Sequence, residues 1–407
     1  MTDPTGLSFL SYKRERREEA ELLIAALHDV GIPTWRDLDD LAELPTEDEI
    51  RRVLRDPGTA NAILWLTPEV EKSEMIRRVE APLILERARR DGVFFVVPVA
   101  AGGLDYGDAA TLLDSSFTLE DLKHWNLRKV AADPIGPPEA AEIAMRVLRR
   151  RVAAIHASLP ASAPLKLVLQ TRKASASMTG ALSLHWLHRC EGREARPGAW
   201  KDFLLPALQT VAKVIEEAAP GRAVEAAGLA SIPAITALGS EFLAPRRLPI
   251  SWEQYKEGRG LQLWSLRASR EASGFQVRCE SRDLGGRDLA VLISVTDHVE
   301  PAFQPSLSAL PPFRALLRVW KDGDPPHDLE NAEQAAELAY SIQREIRKAL
   351  KEYPAILCVH LFMAVPLGLA MMIGQLLNNV NSVQTYELLS GNAGKSYKPA
   401  ALLYPSG

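Results

Sequence analysis

The chain opens on a short apolar run, Leu7–Tyr12, followed by Arg14–His28, where Ala20, Leu23, Ile24 and Leu27 recur at helical spacing until Gly31. Apolar runs of strand length return at Ile32–Trp35, Ala60–Thr67 (ANAILWLT) and Val93–Val99 (VFFVVPV), with helical patterns at Glu47–Arg55 and between Ser73 and Arg90. Strands alternating with helices in this way predict a parallel sheet covered on both faces. Pro82 falls inside the last helical pattern; lacking an N–H, it forces the helix either to kink or to begin close by. Ala131–Pro138 (AADPIGPP) breaks the alternation. A helix over Glu139–Ile155 then carries Ile143, Val147 and Val152 beside the basic run Arg149–Arg151, which reads as a solvated face. Ser158–Pro164 (SLPASAP) reads as a short joint, so the chain divides into residues 1–157 and 158–407.

Beyond the joint, two halves of like order follow, without a sequence repeat. The first has strand Leu165–Gln170, a helical stretch around Lys201–Ala218, then Ala223–Gly228 and Ile232–Leu243. The second has strand Leu289–Val295, helix Asn331–Lys351 and the closing unit Ala355–Leu389. Within that unit, Val359–Leu388 (VHLFMAVPLGLAMMIGQLLNNVNSVQTYEL) is strand, small-residue turn, apolar helix and strand, a βαβ unit. Ligands of open sheets lie where the chain leaves a strand's carboxyl end. Those turns hold Thr171, Arg172 and Lys173 in the first half and Thr296, Asp297 and His298 in the second. The later turns hold Ala230, Ser231, Ile232 and Pro233 against His360, Ala364, Val365 and Pro366. Hydroxyl and cationic donors suit phosphate, and small residues let a nucleotide approach a helix start. His360 fits a core position equally well.

Composition narrows the field. With 407 residues, 47% hydrophobic and 25% charged, the chain can bury two ordinary cores. Cys190, Cys279 and Cys358 are far apart and lack zinc-clasping spacing, so a reducing cytoplasm and no metal are expected. The formal net charge of −4 argues against a bulk DNA binder but allows a small polyanion in a local pocket. The sequence opens without a secretory pattern, and the longest apolar run, Leu361–Leu377, falls short of the roughly 20 residues of a bilayer span. No membrane association is expected. There is no GxxxxGK[ST], GxSxG or HExxH.

Particular residues carry a family resemblance. Phe9-Leu10-Ser11-Tyr12, Trp35-Arg36-Asp37 and LWLTPEVEKSEMIRRVE ending at Glu80 resemble a TIR domain, and nearly all of residues 160–407 resembles a SAVED domain, the cyclic-oligonucleotide sensor of bacterial anti-phage (CBASS) systems. The resemblance implies an α/β chain: a flavodoxin-like TIR domain followed by a SAVED domain of two fused CARF-like Rossmann-type halves. It implies NAD cleavage with Glu80 as catalytic residue, although position 76 is Ile76 where the family pattern has tryptophan, and Glu86 stays the alternative register. A carboxylate suits this chemistry because ribose gains positive charge as neutral nicotinamide leaves. Ser11, Tyr12, Lys13, Trp35, Arg36, Asp37 and Ser73 are the NAD-binding candidates; Trp35 either stacks on a ring of the dinucleotide or is a core aromatic.

For the sensor, the candidates are Thr171, Arg172, Lys173, Ser231, Thr296, His360, Ala364 and Pro366. The expected activator is a cyclic oligonucleotide, most simply cyclic tri-adenylate as in relatives. NAD is substrate, yielding nicotinamide and ADP-ribose, and no cofactor is expected. Assembly into a head-to-tail homo-oligomer or filament would complete shared TIR active sites. The rival reading is a non-catalytic TIR scaffold that recruits another effector once the messenger binds.

Overall fold

The computed structural model describes residues 1–35, 46–113, 123–124, 126–173, 180–244, 248–283, 285–325, 327, 329–378, 380–391 and 394–404. The chain forms two compact units. Unit one holds Met1–Ala163 with Thr179–Leu184 and Lys213–Pro220; unit two holds Pro164–Met178, His185–Ala212 and Gly221–Gly407.

Unit one is built on β1 (Leu7–Ser11), β2 (Thr34–Trp35), β3 (Thr59–Leu66), β4 (Phe95–Ala100) and β5 (Arg128–Lys129). All neighbours are parallel, in the order β2-β1-β3-β4-β5. The winding reverses between β1 and β3, which makes the carboxyl ends of those strands the place where such a sheet takes ligands. Every position of β3 is buried, as a central strand covered on both faces requires, and its two polar side chains are hydrogen-bonded: Thr59 Oγ1 donates to Val53 O and Asn61 Nδ2 to Ser8 Oγ. One face buries Phe9, Leu64, Leu66 and Val96 against Ile50, Leu54, Ile76 and Ile84.

Two local features depart from the periodicity. Ile76–Glu80 is a π-helical turn, and the α-helix proper starts at Ala81 with Pro82 in its first turn. Proline is tolerated there because the π turn interrupts the i→i−4 ladder just before it, Ala81 N–H bonding Ile76 O five residues back. The basic run Arg149–Arg151, on the helix Pro137–Ser158, is a correction: it is not a solvated face. Arg151 is fully buried and donates to the carbonyls of Thr5, Gly6 and Ala181. Arg150 donates to Val96 O at 2.7 Å, and only Arg149 reaches a half-exposed partner, Glu217. Burial pushes the Arg151 guanidinium down to about 10, so it stays a cation whose donors satisfy chain-end carbonyls.

In chain order β6 (Leu165–Gln170), β7 (Leu182–His185), β8 (Cys190–Glu191) and β9 (Glu194–Ala195) come next. They are followed by β10 (Val224–Ala227), β11 (Ile250–Lys256), β12 (Gly260–Trp264) and β13 (Gln276–Ser281). The last five are β14 (Asp288–Ser294), β15 (Phe313–Trp320), β16 (Cys358–Ala364), β17 (Ser382–Gly391) and β18 (Gly394–Leu403).

Unit two contains the same motif twice. In the first half β6, β10 and β11 run parallel and β12 returns antiparallel; in the second, β14, β16 and β17 run parallel and β18 returns antiparallel. The second half extends further, with β15 parallel to β14 and β13 closing that edge. The strands β11, β12, β13 and β15 fall where the sequence suggests only a long excursion or a connection.

The helices Ile232–Glu241 and Leu367–Gln375 occupy equivalent places, between the second and third strands of their halves. Both are buried nearly all round, as their uniformly apolar sequences require. They cross at glycine. A Cβ on Gly239 would sit 2.2 Å from Met371 O, and one on Gly374 would sit 2.2 Å from Thr236 O. Each glycine therefore receives the carbonyl that lies three residues before the other, a reciprocal contact only glycine permits.

Candidate functional site

In unit one the candidates divide. Ser11 ends β1 and is 1% exposed, and its Oγ has no hydrogen-bond partner among the described residues. Tyr12 and Lys13 follow it, Lys13 lying 3.8 Å from Glu15. Trp35 is buried and stacked on Phe9, with ring centroids 5.2 Å apart and planes 12° from parallel. It is thus the core aromatic, with its face already covered. Arg36 and Asp37 lie outside the described residues.

Ser73 is buried, and its Oγ accepts from Ile76 N at 3.4 Å, which fixes the entry to the π-helical turn. Glu80 closes that turn and is 7% exposed. Glu86 sits on the exterior of the following helix in an exposed ion pair with Arg90 at 2.6 Å. Such i, i+4 pairs are ordinary surface features, whereas Glu80 is a buried acid at a π-helical turn.

Below the same sheet edge, Arg16 gathers acids that sequence reasoning did not single out. Its guanidinium binds Glu69 at 2.9 Å, Glu19 at 2.8 Å and Asp133 at 2.5 Å. Hydrogen bonding to Arg16 holds the Glu69 carboxyl at about 2.

In unit two, several candidates meet at the first half's strand ends. Thr171 Oγ1 accepts from Ser231 N at 2.8 Å, tying the turn after β6 to the start of the helix Ile232–Glu241. Ser231 caps that helix by accepting from Ala234 N. Arg172, following Thr171, reaches across to β17 of the second half and donates to Glu387 at 2.9 Å. Lys173 is exposed.

Glu387 is the residue sequence reasoning missed. It is 7% exposed, and with Thr171, Ser231, Cys190, Arg193 and Lys398 it lines a small cavity of about 40 Å³. Burial raises its carboxyl above the ordinary value, outweighing the opposing pull of Arg172. Its position in an apolar-looking strand gave one signal, an acid flanked by Tyr386 and Leu388.

The equivalent corner of the second half is put together differently. Thr296 is exposed, and its N–H bonds Ala364 O at 2.9 Å, which joins the ends of β14 and β16. Pro366 precedes the helix Leu367–Gln375. From β11 of the first half, Gln254 Oε1 accepts from Gly368 N at 3.1 Å. Asp297 pairs instead with Lys395 at 3.1 Å.

His360 belongs to neither corner. It lies inside β16 at 6% exposure, bonded through Nδ1 to Tyr386 OH at 2.7 Å, with Nε2 3.4 Å from Asp288. Burial lowers its pKa, leaving the neutral ring as a bridge between strands, not a donor to a ligand. Among the described residues, no group of acids, histidines and cysteines is arranged to hold a metal, and no helix is long and apolar enough to cross a membrane.

Two parallel strand bundles with ligand-type turns define a sensor-like α/β unit. Residues 207–403 match the family model of SAVED, the SMODS-associated and fused to various effectors sensor domain, and this segment is a SAVED domain. Ser231, Glu387 and Gln254 lie inside the match, whereas Thr171 and Arg172 precede it.

Among solved structures, the Acinetobacter baumannii Cap4 SAVED/CARF-domain containing receptor with the cyclic trinucleotide 3'3'3'-cAAA is 14% identical. The alignment covers 95% of this chain and 98% of that one, with a TM-score of 0.49. The Moraxella osloensis Cap4 receptor is also 14% identical over 96% of this chain and 100% of its own, with a TM-score of 0.45. No curated protein matches the chain.

Proposed function

We propose that residues 158–407 are a receptor for a cyclic oligonucleotide and that residues 1–157 are a TIR domain that cleaves NAD when the receptor is occupied. The observation that carries the reading is the SAVED match together with the cluster of Thr171, Arg172 and Ser231 at one helix start. Hydroxyl, guanidinium and helix N–H donors at one corner suit a phosphodiester. Cyclic tri-adenylate is the first ligand to test, being the one bound by the Acinetobacter receptor.

For the effector, the strand order β2-β1-β3-β4-β5 accords with a flavodoxin-like TIR plan, and Glu80 is a buried acid on the segment that follows β3. Glu80 stabilises the ribosyl cation as nicotinamide leaves, and Ser11 offers a hydroxyl at the sheet's switch point. Because the two sensor halves differ, contact between copies is head-to-tail and builds open assemblies that bring TIR domains together. The ligand drives this by binding the assembled state more tightly.

The test is calorimetry of the full chain with 3'3'3'-cAAA beside fluorescence of an etheno-NAD analogue. Ligand-dependent cleavage is expected, lost in Glu80→Gln and largely kept in Glu86→Gln. Cleavage surviving in Glu80→Gln removes that residue's role; a bound ligand without NAD turnover makes the first domain a recruiting module.

A further inference from the structure

We infer that Glu387 is a built-in competitor of the ligand: its carboxylate occupies Arg172 beside the Ser231 helix start in the resting protein, and a phosphate-bearing ligand binds by displacing it. This rests on the cyclic-oligonucleotide reading above and adds a resting-state restraint to the same corner. The geometry makes the case. Glu387 comes from the opposite half of the unit to Arg172 and Ser231, so the pair holds the two halves together across the cavity.

The cavity beside it, about 40 Å³, has room for little more than one water, against the several hundred cubic ångströms of a nucleotide pocket. Arg172 also has a buried Nε with no hydrogen-bond partner among the described residues, a donor that the carboxylate leaves unused. A phosphate in place of Glu387 can take both guanidinium edges, which one carboxylate oxygen does not.

Burial already disfavours the charged form of Glu387, so moving it aside costs less than breaking a fully satisfied pair. The groups facing it are Arg172 and Ser231 from the first half, Arg193 and Cys190 beside the cavity, and Tyr397 and Lys398 on β18. Lys398 is itself engaged with Glu194 at 3.1 Å.

The experiment titrates full-length protein with 3'3'3'-cAAA by calorimetry, wild type against Glu387→Gln. The variant is expected to bind about tenfold more tightly, since a like charge has been removed from the site. As a measurement independent of the variant, wild-type affinity is expected to rise as pH falls toward the raised titration range of Glu387 and the carboxylate takes up a proton. Unchanged affinity in Glu387→Gln, or wild-type binding that does not strengthen on acidification, overturns the displacement. Weaker binding by the variant also overturns it and makes Glu387 a ligand-reading residue. Silence of both proteins toward 3'3'3'-cAAA overturns the receptor reading itself, an outcome distinct from the others.

Discussion

The two helix starts of the sensor unit occupy the same place in their respective halves and are guarded by opposite chemistry. At the helix Ile232–Glu241 the residue arriving from the other half's third strand is Glu387, buried and tied to Arg172. At the helix Leu367–Gln375 it is Gln254, which accepts from Gly368 N and carries no charge. Both use a side-chain oxygen at a helix start, where free N–H groups favour an acceptor. Only one of the two must be compensated by a cation. The two halves share an architecture and differ in chemistry, with one corner charged and the other a neutral structural tie.

The comparison can be broken at its shared element first. Gly239→Ala and Gly374→Ala each place a methyl into the opposing backbone, so each is expected to lower the stability of unit two by roughly 1–3 kcal/mol or more. Because both act on one crossing, the double variant should fall short of the sum, as chemical denaturation would show. Gly368→Ala is expected to cost less, about 1 kcal/mol. Its Cβ meets Trp264 at 2.8 Å, but that neighbour is a side chain and can shift.

A smaller effect comes from making the two corners alike. Gln254→Glu puts a carboxylate at the start of Leu367–Gln375 and should stabilise unit two by about 0.3–1 kcal/mol near neutral pH. Such a carboxyl is held below its unfolded value, so the gain should fade as pH falls through the carboxylate range. Glu387 predicts the opposite slope. Its folded value is raised, so its contribution is present below the unfolded value and lost as pH rises through the folded one. Wild-type unfolding followed across mildly acidic pH should show this loss, and Glu387→Gln should flatten it.

Much of this was legible in the chain because burial leaves a plain mark. The strands Leu165–Gln170 and Thr59–Leu66, the helix Ala332–Glu352 and the two apolar helices all follow from continuous or periodic apolar runs. Strands at or next to a sheet edge, such as Ile250–Lys256 and Gln276–Ser281, were not legible, since their exposed faces mix Glu, Gln, Arg and Ser with few apolar residues. Thr171, Arg172 and Ser231 stood out because a strand's end dictates where they fall. Glu387 did not, because its meaning depends on a partner 215 residues earlier in the chain. Trp35 and His360 were ambiguous for a related reason: an aromatic or a histidine has the same letter whether a core or a ligand satisfies it.

The glycine crossing has a consequence for how the sensor can be taken apart. A helix buried on every side has no solvated face to fall back on, and Ile232–Glu241 depends on Leu367–Gln375 for one of its walls. Gene fragments that end between the halves, near residue 285, are therefore expected to yield aggregating polypeptide, not a small soluble receptor. Joint expression of both fragments should restore solubility, observed as co-elution on gel filtration. The halves behave as one folding unit, and a motif that occurs twice in this way cannot be shortened to one copy without replacing that wall.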